Sequence, residues 1–459
     1  MSENTLSAKM ADWVAGLDYE TVPVRAVEMA KLLILDQLGL QIRGATLPNV
    51  QPERELVELM AAAPECTVVQ SDTRTVAPYA AFVNGTLAAG IEFDDVHMYA
   101  AHIGSAVVPA ALAFGEITNS TGRDVITAIV AGAQIMSLLG ATTVENMVRH
   151  GWHASKILGT FGSAAAAGKL LGLTTDELTH AFGIAGSDAA GTMEYELSGG
   201  EVKRMHSGTA GRSGSQAALL AQRGLTGPTG IVEGGRGVFR LLSTTLDSAA
   251  VGQLFDHFHI VDTIFRLYPT IGSAAPAIEA VRYLQEHNDL PWCEITEIKL
   301  GLPEIAVGHG AAITRPTDTV TAQFSIAFSI ALRLIHGRNR PDEYMNPTLW
   351  ADPDLLSIVD KVLPYSMQFP PGQPPLLSCR IDITLSDGRL LSHTQGGARG
   401  YPGHPDTRDS DVEAKFLDNV SGIISPADAR TIVEHVGILD KLENASNLIR
   451  LAATRPEQR

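Results

Sequence analysis

The sequence predicts a mainly α protein: a large all-helical domain formed by both chain ends, carrying a smaller inserted α+β domain. Three observations point there. Capped helical patterns fill the chain with almost no strand pattern before residue 290. Period-two alternation begins only afterwards, in EITEIKLGLP and CRIDITLSDGRLLSHT. Small residues abound: 43 glycines in 459 residues exceed the usual share of about 7 %. Runs such as GSAAAAGKLLG and FVNGTLAAGIEF let helix backbones approach closely. The expected boundaries are 1–265 with 397–459 for the helical domain and 266–396 for the insertion.

In chain order, Pro23 fits the first turn of a helix reading PVRAVEMAKLLILDQLGLQIR, and Gly44 fits the position after it. Further helices are expected near 76–91, 105–118, 123–140, 155–171 and 207–223. Thr174 and Glu177 make a capping box opening a helix through Ala189, and Gly224 supplies a left-handed stop after LLAQR. Past Trp292, Ile298, Leu300 and Leu302 alternate with Glu297, Lys299 and Gly301. Ile381, Ile383 and Leu385 alternate with Asp382 and Thr384, and Asp387-Gly388 is a hairpin turn. TAQFSIAFSIALRLIHG between these strands reads as helix, and the Pro-rich QFPPGQPP (368–375) as a loop. Helical pattern returns from Asp411, which makes the α+β unit an insertion.

With 34 Lys+Arg against 51 Asp+Glu, the net charge of −17 repels phosphate backbones, and no basic stripe offsets it, so nucleic acid is excluded as a partner. Apolar content of 45 % with 19 % charge is globular. Cys66, Cys293 and Cys379 are scattered, odd in number and lack a CxxC pair, which points to a reducing compartment without a zinc or iron–sulfur centre. MSENTLSAKMADW has no apolar run, and the longest apolar stretches break well short of a membrane span. A cytoplasmic location without membrane association is expected.

Several motif-like stretches lack the parts their chemistry needs. GSAAAAGKLL has five residues between Gly162 and Gly168 and no hydroxyl after Lys169, so it is a packed helix rather than a phosphate loop. EGGRGVF follows no strand, which argues against a dinucleotide site. No GxSxG or HExxH occurs.

Four stretches do carry chemistry. IEFDDVHMYAAHIGS holds Glu92, Asp94, Asp95, His97 and His102 beside apolar helix; singly each is as good a helix-end or solvent residue, but apolar flanks would bury the group. RHGWHASKILGTF places His153 before a Gly/Ala helix whose first amides favour anions. GGEVKRMHSGTAGR sets Lys203, Arg204 and His206 at another helix start, where a bound anion would relieve cations opposing the dipole. FRLYPTIGSA contributes Arg266 and Tyr268. Cations, imidazoles and carboxylates together suit a small polycarboxylic acid: cations neutralise its carboxylates, easing removal of an α proton that a His or Lys carries. A metal site from Asp94, Asp95 and His97 is a remote alternative.

In order along almost the whole chain, AKLLILDQLGLQIRG, NGTLAAGIEFDDVH, HIGSAVVPAALA, GWHASKILGTFGSAAAAGKLLGL, KRMHSGTAGRSG, TGPTGIVEGGRGVF, RLYPTIGSAAPAI and GYPGHPDTRDSDVEAKF resemble the MmgE/PrpD family, which includes 2-methylcitrate dehydratase, cis-aconitate decarboxylase and iminodisuccinate epimerase. The resemblance implies a helical domain from both chain ends with a smaller α+β lid. It also implies a homodimer and an active site between the domains with neither cofactor nor metal. It puts the two active-site histidines on His102 and His153 and the lysine on Lys203, followed by His206. Departures are Glu92 where decarboxylase-like members have Asp, Val96 for Thr, Arg266 for Lys, and Ile271 for a later His.

The expected activity is a metal-independent lyase on a small di- or tricarboxylate, with dehydration of a 2-methylcitrate-like hydroxy acid as the leading expectation. His102 or Lys203 would be base and His153 acid; Glu92, Asp95, Arg204, His206, Arg266 and Tyr268 would bind substrate. Epimerisation of a dicarboxylate is the alternative within enzymes, and non-catalytic carboxylate binding the alternative outside them. Tyr268 and His309 would help shape specificity.

Overall fold

The computed structural model describes residues 5–243, 251–252, 254–370, 377–402 and 404–453; the side chains of Glu196, Leu197, Ile305 and His309 are outside that description. The structure is mainly α. Its contacts gather into two compact units: Met1–Gly90, Asp94–Phe265 and Asp409–Arg459 in the first, Ile91–Phe93 and Arg266–Arg408 in the second.

Local signals start the first unit's helices. Thr174 accepts from the Glu177 amide while Glu177 reaches back, and Thr121 does the same with Asp124. The helices Val24–Gly44, Ala77–Ala88, Gly104–Thr118, Gly122–Gly140, Ala154–Leu170, Thr175–Asp188 and Val202–Gln222 pack around one apolar core that includes Leu33, Phe82, Phe114, Phe161 and Phe182. Helix Gly122–Gly140 is long and apolar enough to cross a membrane, yet 89 % of it is buried in the protein, and it is a core helix. Helix Val202–Gln222 packs on Ala154–Leu170 and Ala77–Ala88 through glycines. A Cβ at Gly208 would strike the Phe82 carbonyl and Thr86, and one at Gly214 the Thr160 carbonyl. This helix starts five residues ahead of the expected 207, so Lys203, Arg204 and His206 lie within it. A two-residue ladder, β1 (Cys66–Thr67) with β2 (Arg74–Thr75), is the one strand pairing described before β3, and is too short for periodicity to reveal.

In the second unit β3 (Ile295–Leu302), β4 (Val362–Ser366), β5 (Ser378–Leu385) and β6 (Leu390–Gly396) form a sheet ordered β4-β3-β5-β6. β4 runs parallel to β3, and the other pairs are antiparallel. The alternating residues meet across it, Ile298 opposite Ile383 and Leu300 opposite Ile381. Asp387-Gly388 turns the β5–β6 hairpin, Gly388 having φ 87°. Pro364 sits in β4 at the sheet edge, where its missing N–H does little harm and where its presence hid the strand. The stretch read as one helix is two, Thr319–Phe324 and Ile326–His336: Ser325 is extended and caps the second through the Phe328 amide. Of the Pro-rich loop, 371–375 lie outside the described residues.

Candidate active site

The acidic segment leaves helix Ala77–Ala88 through Glu92, whose φ of 52° is left-handed. In the second unit, Glu92 accepts from Arg266 Nη1 at 3.0 Å, and Arg266 also donates to the Thr270 carbonyl at 3.2 Å. The neighbouring acids, in the first unit, have separate partners. Asp94 Oδ2 accepts the Ser105 hydroxyl at 2.8 Å, and Ser105 Oγ lies 2.9 Å from Ser207 Oγ. The Ser105 hydroxyl thus links Asp94 to Ser207. Asp95 Oδ2 and Oδ1 accept the Ile103 and Gly104 amides at 3.0 and 2.9 Å, capping helix Gly104–Thr118 from outside it. Burial, with Asp94 and Asp36 close by, pushes Asp95 up to about 8.

His102 Nδ1 lies 2.6 Å from the Asp95 carbonyl and 3.5 Å from Asp94 Oδ2. A carbonyl only accepts, so Nδ1 bears a proton, and the tautomer this selects has its lone pair on Nε2. Ala101, at φ 58°, makes the turn that sets this ring back over the acids. An oriented imidazole beside a buried carboxylate is the geometry of a general base.

His153 occupies the N-cap position of helix Ala154–Leu170, and its Nδ1 lies 2.8 Å from Nδ1 of His206. Tyr195 stands edge-on to both rings, at 5.7 and 5.9 Å. Burial, with Lys156 and Lys203 nearby, lowers His206 to about 4, so it is neutral. At the start of helix Val202–Gln222, half-buried Lys203 precedes Arg204, which is ion-paired to Glu201. The first unit thus brings together His153, His206 and Lys203 on one side and Asp94, Asp95 and His102 on the other, joined where Ser207 meets Ser105.

In the second unit, the Tyr268 hydroxyl donates to Glu279 Oε1 at 2.7 Å, and Glu279 is further held by Arg282 and Arg399. Ile271 is buried in that unit's apolar core. His309's side chain is outside the described residues. Sequence reasoning missed Ser105, Ser207, Tyr195 and Lys156. Ser105 and Ser207 each lie within three residues of a singled-out histidine, which is the signal that would have found them.

The remote metal alternative meets a specific obstacle. His97 Nδ1 accepts the Tyr99 and Ala100 amides, each at 3.1 Å, so Nε2 carries the proton it donates to the His259 carbonyl at 3.0 Å. Burial lowers His97 to about 4, consistent with a neutral ring. His97, His259 and Asp262 stand close enough to share an ion. With His97 committed on both nitrogens, they offer two donors, too few for a protein-built site.

The MmgE/PrpD N-terminal domain model matches residues 8–249 and the MmgE/PrpD C-terminal domain model residues 268–441. Cis-aconitate decarboxylase of Homo sapiens is 28 % identical over 98 % of this chain and 95 % of its own length. Cis-aconitate decarboxylase of Aspergillus terreus is 26 % identical over 98 % and 96 %. The cis-aconitate decarboxylase-like protein oryM of Aspergillus oryzae is 26 % identical over 98 % and 97 %. The chain belongs to the MmgE/PrpD family, a family of lyase-type enzymes.

Proposed function

We propose that this chain is a metal-independent lyase that abstracts a proton α to a carboxylate of a small di- or tricarboxylate, with dehydration of a 2-methylcitrate-like acid as the leading reaction. The observation that carries this reading is His102: its Nδ1 is spent on the Asp95 carbonyl beside Asp94, which leaves Nε2 as an oriented acceptor. In this reading His102 takes the α proton, Lys203 neutralises the adjacent carboxylate and lowers the barrier to carbanion character, and His153 protonates the departing hydroxyl. Arg204, already paired with Glu201, is a weaker candidate for the clamp.

A second reading, epimerisation, is favoured by Ile271: the family position that offers a histidine is apolar here, and inversion needs two bases but no acid for a leaving group. Decarboxylation is the activity named for the relatives, and the test below includes it.

Incubation in deuterated water with citrate, 2-methylcitrate, cis-aconitate and aspartate-derived acids separates the three. Dehydration produces ultraviolet absorbance from a conjugated acid, epimerisation returns deuterated substrate, and decarboxylation releases carbon dioxide. His102→Ala and Lys203→Ala should each lower turnover on the confirmed substrate, the first by about 10²–10⁴-fold. Full turnover in both variants would overturn the assignment. The proposal extends to a cytoplasmic homodimer, which sedimentation of the purified chain tests for assembly.

A further inference from the structure

Lys156 lies three residues after His153, in the first turn of helix Ala154–Leu170. Its side chain is buried, with 8 % of the residue exposed. Nζ reaches two neutral oxygens, Thr160 Oγ1 at 3.3 Å and the Asp188 carbonyl at 3.4 Å. Among the described residues no carboxylate pairs with it. The Asp188 charge acts on this buried ammonium without pairing with it directly, which leaves its burial costly.

His206 lies close by. Both side chains converge on Gly191, where a Cβ would stand 2.9 Å from Lys156 Cγ and 3.5 Å from His206 Cε1. Gly191 has φ 149°, a conformation side-chain-bearing residues rarely adopt, and its carbonyl accepts the His153 amide at 2.9 Å. One glycine therefore brings the lysine and both imidazoles together.

The groups facing His206 are His153 and Lys156 from the Ala154–Leu170 helix and its cap, Tyr195 edge-on, and Lys203 from its own helix. The other packed helices bring few charges. Ala77–Ala88 offers Tyr79. Gly104–Thr118 offers Glu116, which is bonded to Thr67, and Thr175–Asp188 ends in Asp188, whose charge acts on Lys156. Arg204 is neutralised by Glu201 one turn earlier, and Asp94 is reached through the hydroxyls of Ser207 and Ser105. Two ammonium groups thus act on His206, and among the described residues no carboxylate pairs with it.

The Nδ1–Nδ1 contact has room for one proton, so one ring donates and the other accepts. We propose that Lys156 is a positioning residue: its ammonium adds to burial in holding His206 uncharged, so His206 accepts the hydrogen bond and His153 is the imidazole that carries the pair's mobile proton. The inference rests on the reading of His153 as the acid. It adds that the neutral His206 orients His153 from behind, as the orienting member of a catalytic triad does, and that Lys156 reinforces the neutrality that burial imposes. The depressed values of His206, about 4, and Lys156, about 8, agree: burial dominates both.

The test is deuterium exchange at imidazole C2–H, read by mass spectrometry of peptides containing His153 and His206, on the full chain between about pH 3 and 8. In the unsubstituted protein His153 should titrate above His206. Lys156→Met should raise the His206 midpoint by about one pH unit, while Lys156→Arg, which keeps the charge, should leave it in place. Lys156→Gln keeps polar contacts to Thr160 and the Asp188 carbonyl, and serves should the methionine variant fold poorly. His206 titrating above His153, or a midpoint unmoved by loss of the amine, overturns the proposal, as does Lys156→Arg moving it as far as Lys156→Met. The exchange needs no substrate. Failure of the carboxylate-lyase reading would show as absent turnover with the midpoints still behaving as described.

Discussion

At His102 the Nδ1 proton is committed to the Asp95 carbonyl, and the ring's reactivity is confined to Nε2. Asp94 and Asp95, side by side in the sequence, divide the remaining work: Asp94 meets the Ser105 hydroxyl, whereas Asp95 holds two amides at a helix start. Nothing in the dipeptide tells the two apart, because which carboxylate turns inward depends on where helix Gly104–Thr118 begins. The division is testable through stability. Asp95→Ala should cost about 1–2 kcal/mol by chemical denaturation, the scale of a lost helix cap. Asp95→Asn, which still offers one accepting oxygen, should cost less than half of that. Asp95 is also expected to bind substrate while its carboxylate oxygens hold two backbone amides, and an effect of Asp95→Asn on KM with little change in stability would support that role. Tyr268 is similarly engaged, its hydroxyl donating to Glu279, so Tyr268→Phe should cost about 1 kcal/mol.

Among the elements, the helices built on small residues were legible because their function is packing, and packing leaves a compositional trace. Gly208 illustrates the physics. It lies inside helix Val202–Gln222, where alanine is intrinsically better by about 1 kcal/mol. A Cβ there would meet the Phe82 carbonyl and Thr86 on the neighbouring helix. Gly208→Ala should therefore destabilise by about 1–3 kcal/mol, the overpacking cost exceeding the propensity gain. Melting of the variant against wild type checks the sign; a stabilised variant would mean the helix pair can spread. Element boundaries were less legible. The break at Ser325 interrupts an unbroken apolar pattern because one serine side chain caps the next helix, and β4 escaped notice because Pro364 reads as a strand breaker away from its edge position.

For the whole molecule, the displaced groups predict a pH optimum of stability. His97 and His206 are held at about 4 in the fold, below the ordinary value of about 6.5. Between about 4 and 6.5 the unfolded chain therefore binds two protons that the folded chain does not, and stability falls as pH falls. Asp95, raised to about 8, has the opposite sign: over the same interval the folded chain binds one proton that the unfolded chain has lost. Two minus one leaves one net proton, a loss of about 1.4 kcal/mol per pH unit on acidification. Between about 6.5 and 8 only Asp95 of these three acts, and stability declines as pH rises. Thermal unfolding across that range should peak near neutrality. His97→Gln should flatten the acid side, since its amide can accept from the backbone without titrating; an unchanged acid slope would remove His97 from the account.

The sequence by itself determined the predominance of helix, strands β3 and β5, the β5–β6 hairpin turn, and the family, because these rest on periodicity, turn chemistry and ordered motifs that need no knowledge of distant neighbours. It also supplied most of the candidate imidazoles and cations, since residue types are visible in the chain. Only the tertiary structure decided what each of them does. Arg204 is bound to Glu201 and Arg266 to Glu92, His97 is spent on backbone groups, and His153 meets His206, 53 positions away, through a single hydrogen bond. A hydrogen bond forms between neighbours in space, and the chain brings those neighbours together only once its helices have packed.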